Sequence, residues 1–429
     1  MPPIIKELKD QRIAILGFGR EGRSTYHYLR RYLPDQPLTI ADLNPIDTQG
    51  LEHVQLIIGE DYQKLNDYDV IMKSPGIVMQ ESIAPEKLNS QSNLFLKYYG
   101  HQTIGITGTK GKSTTCSLLY HILKQQRKCV LLGNIGKPAF DQLDVIDEDT
   151  LVVYELSCHQ LEYIRHAPHW GVLLNLYEEH LDHYGTFENY CKAKENIWRM
   201  QRNQDYLICE KSLACADIKA VVLTASMSDE SADIYVDANR LRILQDEIVL
   251  QPRQTTLLGR HNDYDIAIDL YLAKQLGMDY ADSLKALSSF QPLPHRLQYV
   301  GYYHYLHWYD DSISTICETT IQALQSLPQT DTLLLGGMDR GIDYTPLADY
   351  LNKHPVAHVI LMYDSGTVLA KQLRIPFTMV ADLQEAVVTA KHISASEGVV
   401  LLSPAAASYG FFKNFEERGD CFQTYIKQP

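Results

Sequence analysis

The sequence predicts an α/β protein of three domains built on mostly parallel sheets. Three observations predict it. A β-branched strand runs into a glycine turn and a helix near the N-terminus. The same order recurs at residues 103–124 with a different glycine pattern. Strands and helices then alternate again over the last third, beyond the double proline break at Pro292 and Pro294. A chain of 429 residues is long enough for two to four separate cores. The expected domains are residues 1–91, 92–292 and 293–429.

In the first, residues 12–16 are a buried strand by composition, ending in Gly17-Phe18-Gly19-Arg20-Glu21-Gly22. A helix follows to about residue 33, then a strand over 38–41 that ends at Asp42. Strand, glycine turn, helix, strand, acid is the order of a Rossmann-like dinucleotide unit. The turn specifies an approach to phosphate and leaves NAD as one ligand. Residues 70–73 form a further strand closed by Ser74-Pro75-Gly76, so ligand also meets Ser74.

In the second, residues 103–107 are a strand leading into Gly108-Thr109-Lys110-Gly111-Lys112-Ser113-Thr114 and a helix. Glycines let backbone N–H groups approach phosphate oxygens, and the helix N-terminus adds partial positive charge. Lys112 reaches the outer phosphates and the Ser113 hydroxyl sits on Mg2+. The common phosphate-loop pattern has a glycine where this chain has Ile106. Later strands end in Gly133-Asn134, in Glu155-Leu156-Ser157-Cys158-His159-Gln160 and in Glu178-Glu179-His180. Polar residues thus gather at the C-terminal ends of strands, the edge where open α/β sheets bind ligands. Glu155 suits Mg2+, since hard cations take carboxylate oxygen, and His180 is a second candidate ligand. Residues 190–198 read as helix, and nothing in the pattern separates Lys192 from Lys194. Asn262, before the helix expected over 266–276, serves either to read a base edge or to cap that helix.

The third domain alternates strands at 331–335, 358–362 and 398–402 with helices at 315–327, 383–394 and 415–427. Polar residues again follow strand ends: Asp310-Asp311-Ser312, Met338-Asp339-Arg340 and residues 403–408. Arg340 is either a bidentate carboxylate partner or a solvated surface residue.

The formal net charge of −14 argues against nucleic acid or an anionic membrane as the main partner. Eight cysteines without a CxxC pair read as reduced thiols in a cytoplasmic protein. The charged N-terminal span has no signal-peptide core, and no apolar run reaches membrane-spanning length.

Together these motifs resemble the Mur ligase family, the ATP-dependent amino-acid-adding enzymes of peptidoglycan precursor synthesis, over nearly the whole chain. Gly108–Thr114, Gly133–Gly136, Glu155–Ser157, Glu179–Asp182, Gly259–Asn262 and Pro294–Arg296 follow in family order. The stretches 402–405 and 412–419 are similar to the D-glutamate-adding branch. The resemblance implies that a monomer joins glutamate to UDP-N-acetylmuramoyl-L-alanine through an acyl phosphate, using ATP and two Mg2+ sites. It implies that Gly17, Phe18, Gly19, Arg20, Asp42 and Ser74 hold UDP, while Asn134, Ser157 and Gln160 meet the muramoyl-alanine end. Gly108, Thr109, Lys110, Gly111, Lys112, Ser113 and Thr114 hold ATP together with Asn262, Arg296 and Asp311. Ser113 and Glu155 take one Mg2+; His180 and a carbamylated Lys194 take the other, and Lys112, His180 and Lys194 are the catalytic set. Thr315, Arg340, Ser408 and Phe415 fall at the amino-acid positions, and the third domain closes on the second.

Three positions depart from the family pattern: Ile313 and Arg340 replace lysines, and Asp265 replaces an asparagine. Arg and Lys differ at a carboxylate site, one a planar fork and the other a point charge. D- and L-glutamate therefore both stand as candidate substrates. The alternatives are a folylpolyglutamate synthase-like ligase, which needs no UDP-binding first domain, and a nucleotide- or NAD-sensing protein without ligase chemistry.

Overall fold

The protein is described from a computed structural model that covers residues 1–251 and 255–428. It forms two compact units, Met1–Gln254 with Asp263–Ser288, and Thr255–Asn262 with Ser289–Pro429. Among the described residues three sheets carry the fold, two of them in the first unit.

The first sheet consists of β1 (Ile13–Leu16), β2 (Leu38–Asp42), β3 (Val54–Ile58), β4 (Val70–Lys73) and β5 (Leu88–Asn89), in the order β3-β2-β1-β4-β5. All its pairings are parallel. Parallel strands need crossovers, and helices over both faces bury them, which explains the unbroken apolar runs of β1 and β2. β3, half-exposed at the sheet edge, has no such run and is not legible as a strand. The order reverses at β1, so the Gly17 turn lies where α/β sheets of this kind hold ligands.

The second sheet has nine strands: β6 (Thr103–Thr107), β7 (Cys129–Gly133), β8 (Leu151–Glu155), β9 (Trp170–Leu173), β10 (Tyr206–Glu210), β11 (Val221–Ser226), β12 (Ile234–Asp237), β13 (Arg240–Ile243) and β14 (Asp246–Val249). Their order is β14-β13-β12-β11-β10-β9-β6-β8-β7. β6 is buried along its whole length between β8 and β9. Each Ile, Leu or Val so enclosed contributes on the order of 1.5–3 kcal/mol. The edge β12-β13-β14 is antiparallel, made of short strands joined by turns at Ala238 and Leu244, both with positive φ.

In the second unit, β15 (Gln298–Tyr303), β16 (Leu306–Asp310), β17 (Thr330–Leu335), β18 (His358–Met362), β19 (Phe377–Val380) and β20 (Val399–Leu402) form a sheet in the order β15-β16-β20-β17-β18-β19. The expected parallel arrangement holds from β16 to β19, whereas β15 is antiparallel to β16. A turn of only two residues, His304 and Tyr305, both with positive φ, permits a hairpin and not a crossover. Among the described residues no helix is long and apolar enough to cross a membrane.

Candidate active site

The loop after β6 is set by two glycines. Gly108 has φ 159° and Gly111 φ 88°. Gly111 stands immediately before the helix Lys112–Leu123 in the left-handed region. A side chain there is strained, and its Cβ would lie 3.1 Å from both carboxylate oxygens of Asp265. The loop is braced from β9: Lys110 N donates to Asn175 Oδ1 at 2.8 Å and Thr109 N to Asn175 O at 3.0 Å. Lys110 Nζ pairs with Glu179 at 2.8 Å.

Two further lysines converge on the same backbone. Lys112 Nζ donates to Gly108 O and Thr109 O, each at 2.9 Å. Lys194 Nζ donates to Gly108 O at 2.8 Å, with Thr107 Oγ1 at 3.4 Å. Lys194 is 1% exposed and lies over the Tyr190 ring, 5.0 Å from its centroid. Burial, with Lys112 beside it, brings its ammonium down to about 7. Burial lowers Lys112 as well, and Glu155 opposes that shift. Lys192, two positions before Lys194 and so on another face of the helix Phe187–Arg199, is exposed and pairs with Glu188 at 2.6 Å.

Glu155, the last residue of β8, is 0% exposed. Its Oε1 accepts from Asn134 Nδ2 at 3.2 Å, while Oε2 is buried without a hydrogen-bond partner. A buried carboxylate oxygen left open is costly and fits a cation bound in use. Ser113 lies on the first turn of the helix beyond Gly111. His180 has φ 57° and precedes the short helix Leu181–Tyr184. Burial lowers its pKa and favours the neutral ring. Among the described residues no three His, Cys, Asp or Glu side chains form a ready cage for a metal. The donors available here are instead of mixed kinds: a hydroxyl, a carboxylate, an imidazole and an amine whose lowered pKa suits reaction with CO2.

The structure brings further side chains here: His159, which the sequence motif contains without a role, Asp265, one of the departures from the family pattern, and Asp269, which no motif includes. His159 packs edge-on against His180 and His183, with ring centroids 5.0 and 4.5 Å away, and burial with these neighbours holds it near 4. Asp265 and Asp269, one helical turn apart, are buried behind the loop, and burial holds both carboxyls well above the usual range. Neither oxygen of Asp269 has a hydrogen-bond partner.

At the first sheet, Gly17 has φ 86°, and its carbonyl accepts from Ser74 Oγ at 2.8 Å. A Cβ on Gly22 would lie 2.1 Å from Gly17 O, so the helix Arg20–Tyr32 can pack this close only with glycine there. Asp42 braces the turn by accepting from Phe18 N at 2.8 Å. Gly19 faces open space. Arg20 donates to Gly133 O and Asn134 O at 3.2 and 3.1 Å. Ser157 and Gln160 cap the helix Cys158–Leu161 reciprocally, and Gln160 Nε2 donates to Glu21 Oε1 at 2.7 Å.

In the second unit, Asn262 Nδ2 donates to Leu258 O; the residue lies inside the helix Arg260–Gln275, which starts at Arg260 and not at residue 266, so it is not that helix's N-cap. Arg296 begins the stretch before β15. Asp311 is buried and accepts from Ser403 Oγ at 2.7 Å and Leu297 N at 3.1 Å; burial pushes it up to about 7. Arg340 Nη2 lies 3.4 Å from Thr315 O. Ser408 is buried, and the Phe415 carbonyl accepts from Ser312 Oγ at 2.8 Å. The ends of the neighbouring strands β16, β20 and β17 thus gather Asp311, Ser403 and Gly336, with Thr315, Arg340, Ser408 and Phe415 in the segments that follow them or face them. Arg418 was not singled out by the sequence pattern, yet it is 1% exposed and binds Ser312 and Ala406 through three hydrogen bonds.

The sequence profile of the Mur ligase middle domain matches residues 106–272. A relative in Lactobacillus gasseri, named UDP-N-acetylmuramoylalanine–D-glutamate ligase, is 30% identical over 99% of this chain and 98% of its own. A relative of the same name in Oceanobacillus iheyensis is 33% identical over 96% of each. Among solved structures, MurF ligase from Thermotoga maritima in complex with ADP is similar with a TM-score of 0.61 and 17% identity, covering 99% of both chains. Identity of that order across the full length, with the same fold, makes this chain a member of the Mur ligase family.

Proposed function

We propose that this chain is an ATP-dependent ligase that joins D-glutamate to UDP-N-acetylmuramoyl-L-alanine, with residues 1–91, 92–292 and 293–429 as substrate-, ATP- and amino-acid-binding domains. One observation carries the reading: around Gly108, the buried Lys194, the half-buried Lys112 and a buried carboxylate oxygen of Glu155 have no ion pair among the described residues. That arrangement suits polyphosphate and cation together. The names of the relatives supply the substrate.

Lys112 exchanges its two carbonyl contacts for phosphate oxygens of ATP, and the amides of Gly108–Thr114 bind the same phosphates. Ser113 and Glu155 would hold one Mg2+ and His180 with Lys194 a second, and the metal would supply neutralisation of the crowded phosphate oxygens. Lys194 would do so as a carbamate: the fraction of its amine that is uncharged near neutral pH attacks CO2 and gives up a proton to water, leaving a carboxylate-like anion where a cation stood. The substrate carboxylate attacks the γ-phosphorus, ADP leaves, and an acyl phosphate remains. The deprotonated amine of glutamate attacks the acyl carbon, and phosphate departs as the amide forms. Asn134, Ser157 and Gln160 orient the muramoyl-alanine end; Gly17, Phe18, Gly19, Arg20, Asp42 and Ser74 hold UDP. Asn262, Arg296 and Asp311 are nucleotide contacts, and Thr315, Arg340, Ser408 and Phe415 form the amino-acid pocket.

The test is phosphate release from ATP with UDP-N-acetylmuramoyl-L-alanine and either D- or L-glutamate. Release that requires both the nucleotide-sugar and D-glutamate is expected. Release with L-glutamate alone would move the hand of the substrate, and release with neither would remove the ligase reading.

A further inference from the structure

Lys73 closes β4 and is 5% exposed, yet among the described residues it has no ion pair. Its ammonium reaches two carbonyls of its own turn, Ser74 O and Pro75 O, both at a long 3.3 Å. It also lies 4.9 Å from the centroid of the Tyr163 ring. The two acids whose charge acts on it are already engaged. Glu21 accepts from Gln160 at 2.7 Å, and Glu162 from His183 at 3.1 Å. Burial lowers Lys73 to about 8, against the pull of Glu162 and Glu21. An ammonium kept from water without a bonded counter-charge is costly, and two long carbonyl contacts and a ring face offset that only in part.

The surroundings say what would offset it. The turn that Lys73 enters is tied to the glycine turn by the bond from Ser74 Oγ to Gly17 O. In both turns a glycine, Gly19 in one and Gly76 in the other, has no atom within 4 Å of where its Cβ would be. Open backbone in two facing turns, at the reversal point of a parallel sheet, is a place for phosphate. We propose that Lys73 is a substrate-binding residue, its ammonium meeting the diphosphate of the uridine nucleotide. This rests on the reading of the first sheet as the UDP site and adds a charged contact to it.

The experiment measures binding of UDP and of uridine by calorimetry, with excess MgADP present so that the phosphate loop is filled. UDP is expected to bind Lys73→Met about 10- to 100-fold more weakly than wild type, with uridine unchanged and Lys73→Arg in between. Equal UDP affinity in folded Lys73→Met overturns the proposal. Wild type that binds no UDP would instead overturn the underlying site. A readout on the wild type covers a variant that fails to fold. The NMR titration midpoint of the Lys73 side chain should move up in the UDP complex and not in the uridine complex; no movement with bound UDP overturns the assignment.

Discussion

The strand ends at Gly108 and at Asp310–Ser312 use the same architecture in opposite ways. Both follow a strand with a parallel neighbour, fully buried in β6 and alternately buried in β16, and both collect charged side chains. At the second, nearly every charge is answered from within. Asp310 accepts from His295 at 2.7 Å and Gln423 at 2.9 Å, and Asp311 accepts from Ser403. Arg418 spends its donors on Ser312 and Ala406. At the first, Lys112 and Lys194 share one carbonyl, and Glu155 keeps an oxygen unused. Closed polar networks fix a conformation, whereas open ones wait for a ligand. The contrast separates Lys112 and Lys194, whose loss harms activity, from Arg418, whose loss harms the fold.

The sharpest break is Lys112→Ala. Amide formation should fall by about 10³-fold or more with little change in Tm, since its charge serves the transferring phosphoryl group. Near-normal turnover would mean that this lysine belongs to the closed kind. Lys194→Ala should lose activity by about 10²-fold or more and regain part of it with added acetate or formate, which replaces the missing carboxylate-like group. Unchanged activity without the additive would remove carbamylation from the account.

On the other side stands Arg418→Met, which should lower unfolding stability by about 2–4 kcal/mol in denaturant titration, because it leaves buried acceptors of Ser312 and Ala406 unanswered. A negligible change would show that this network is not structural.

The smallest effect tests a residue that fits neither kind. Asp269 is 0% exposed and lacks a hydrogen-bond partner, and burial together with Asp265 raises its pKa. A carboxyl whose folded pKa lies above its unfolded value, about 4, binds more protons when native. Stability is then greatest below that pH and falls as pH rises through the folded value. Asp269→Asn should therefore raise stability at pH 8 by about 1 kcal/mol or somewhat more and change little at pH 4, as read by thermal melts at both. The same gain at both pH values would exclude titration as the cause.

Much of this was open to reading before any coordinates. β1, β2, β6 and β8 are uninterrupted apolar runs because both faces of a parallel sheet are covered, and glycines mark the turns that follow. β3, β5, β10 to β15 and β19 escaped notice. β3, β15, β19 and the hairpin edge β12 to β14 have many side chains in water, where alternation over four or five residues is weak; β5 is buried and β10 and β11 lie inside the sheet, and that reason does not apply to them. Lys194 could not be told from Lys192, since a helix turns successive lysines to different sides and only packing decides which is buried. Arg418, in the acidic helix Phe415–Lys427, has the local pattern of a surface residue.

By itself the sequence determined the α/β class, the glycine turns and the family, because backbone conformation at glycines and long apolar runs are local properties. Only the tertiary structure decided which charges are left unanswered. Whether Lys73, Lys194 and Glu155 have partners depends on atoms brought together from strands far apart in the chain, and electrostatic energy in a buried place is set by those neighbours and not by residue type.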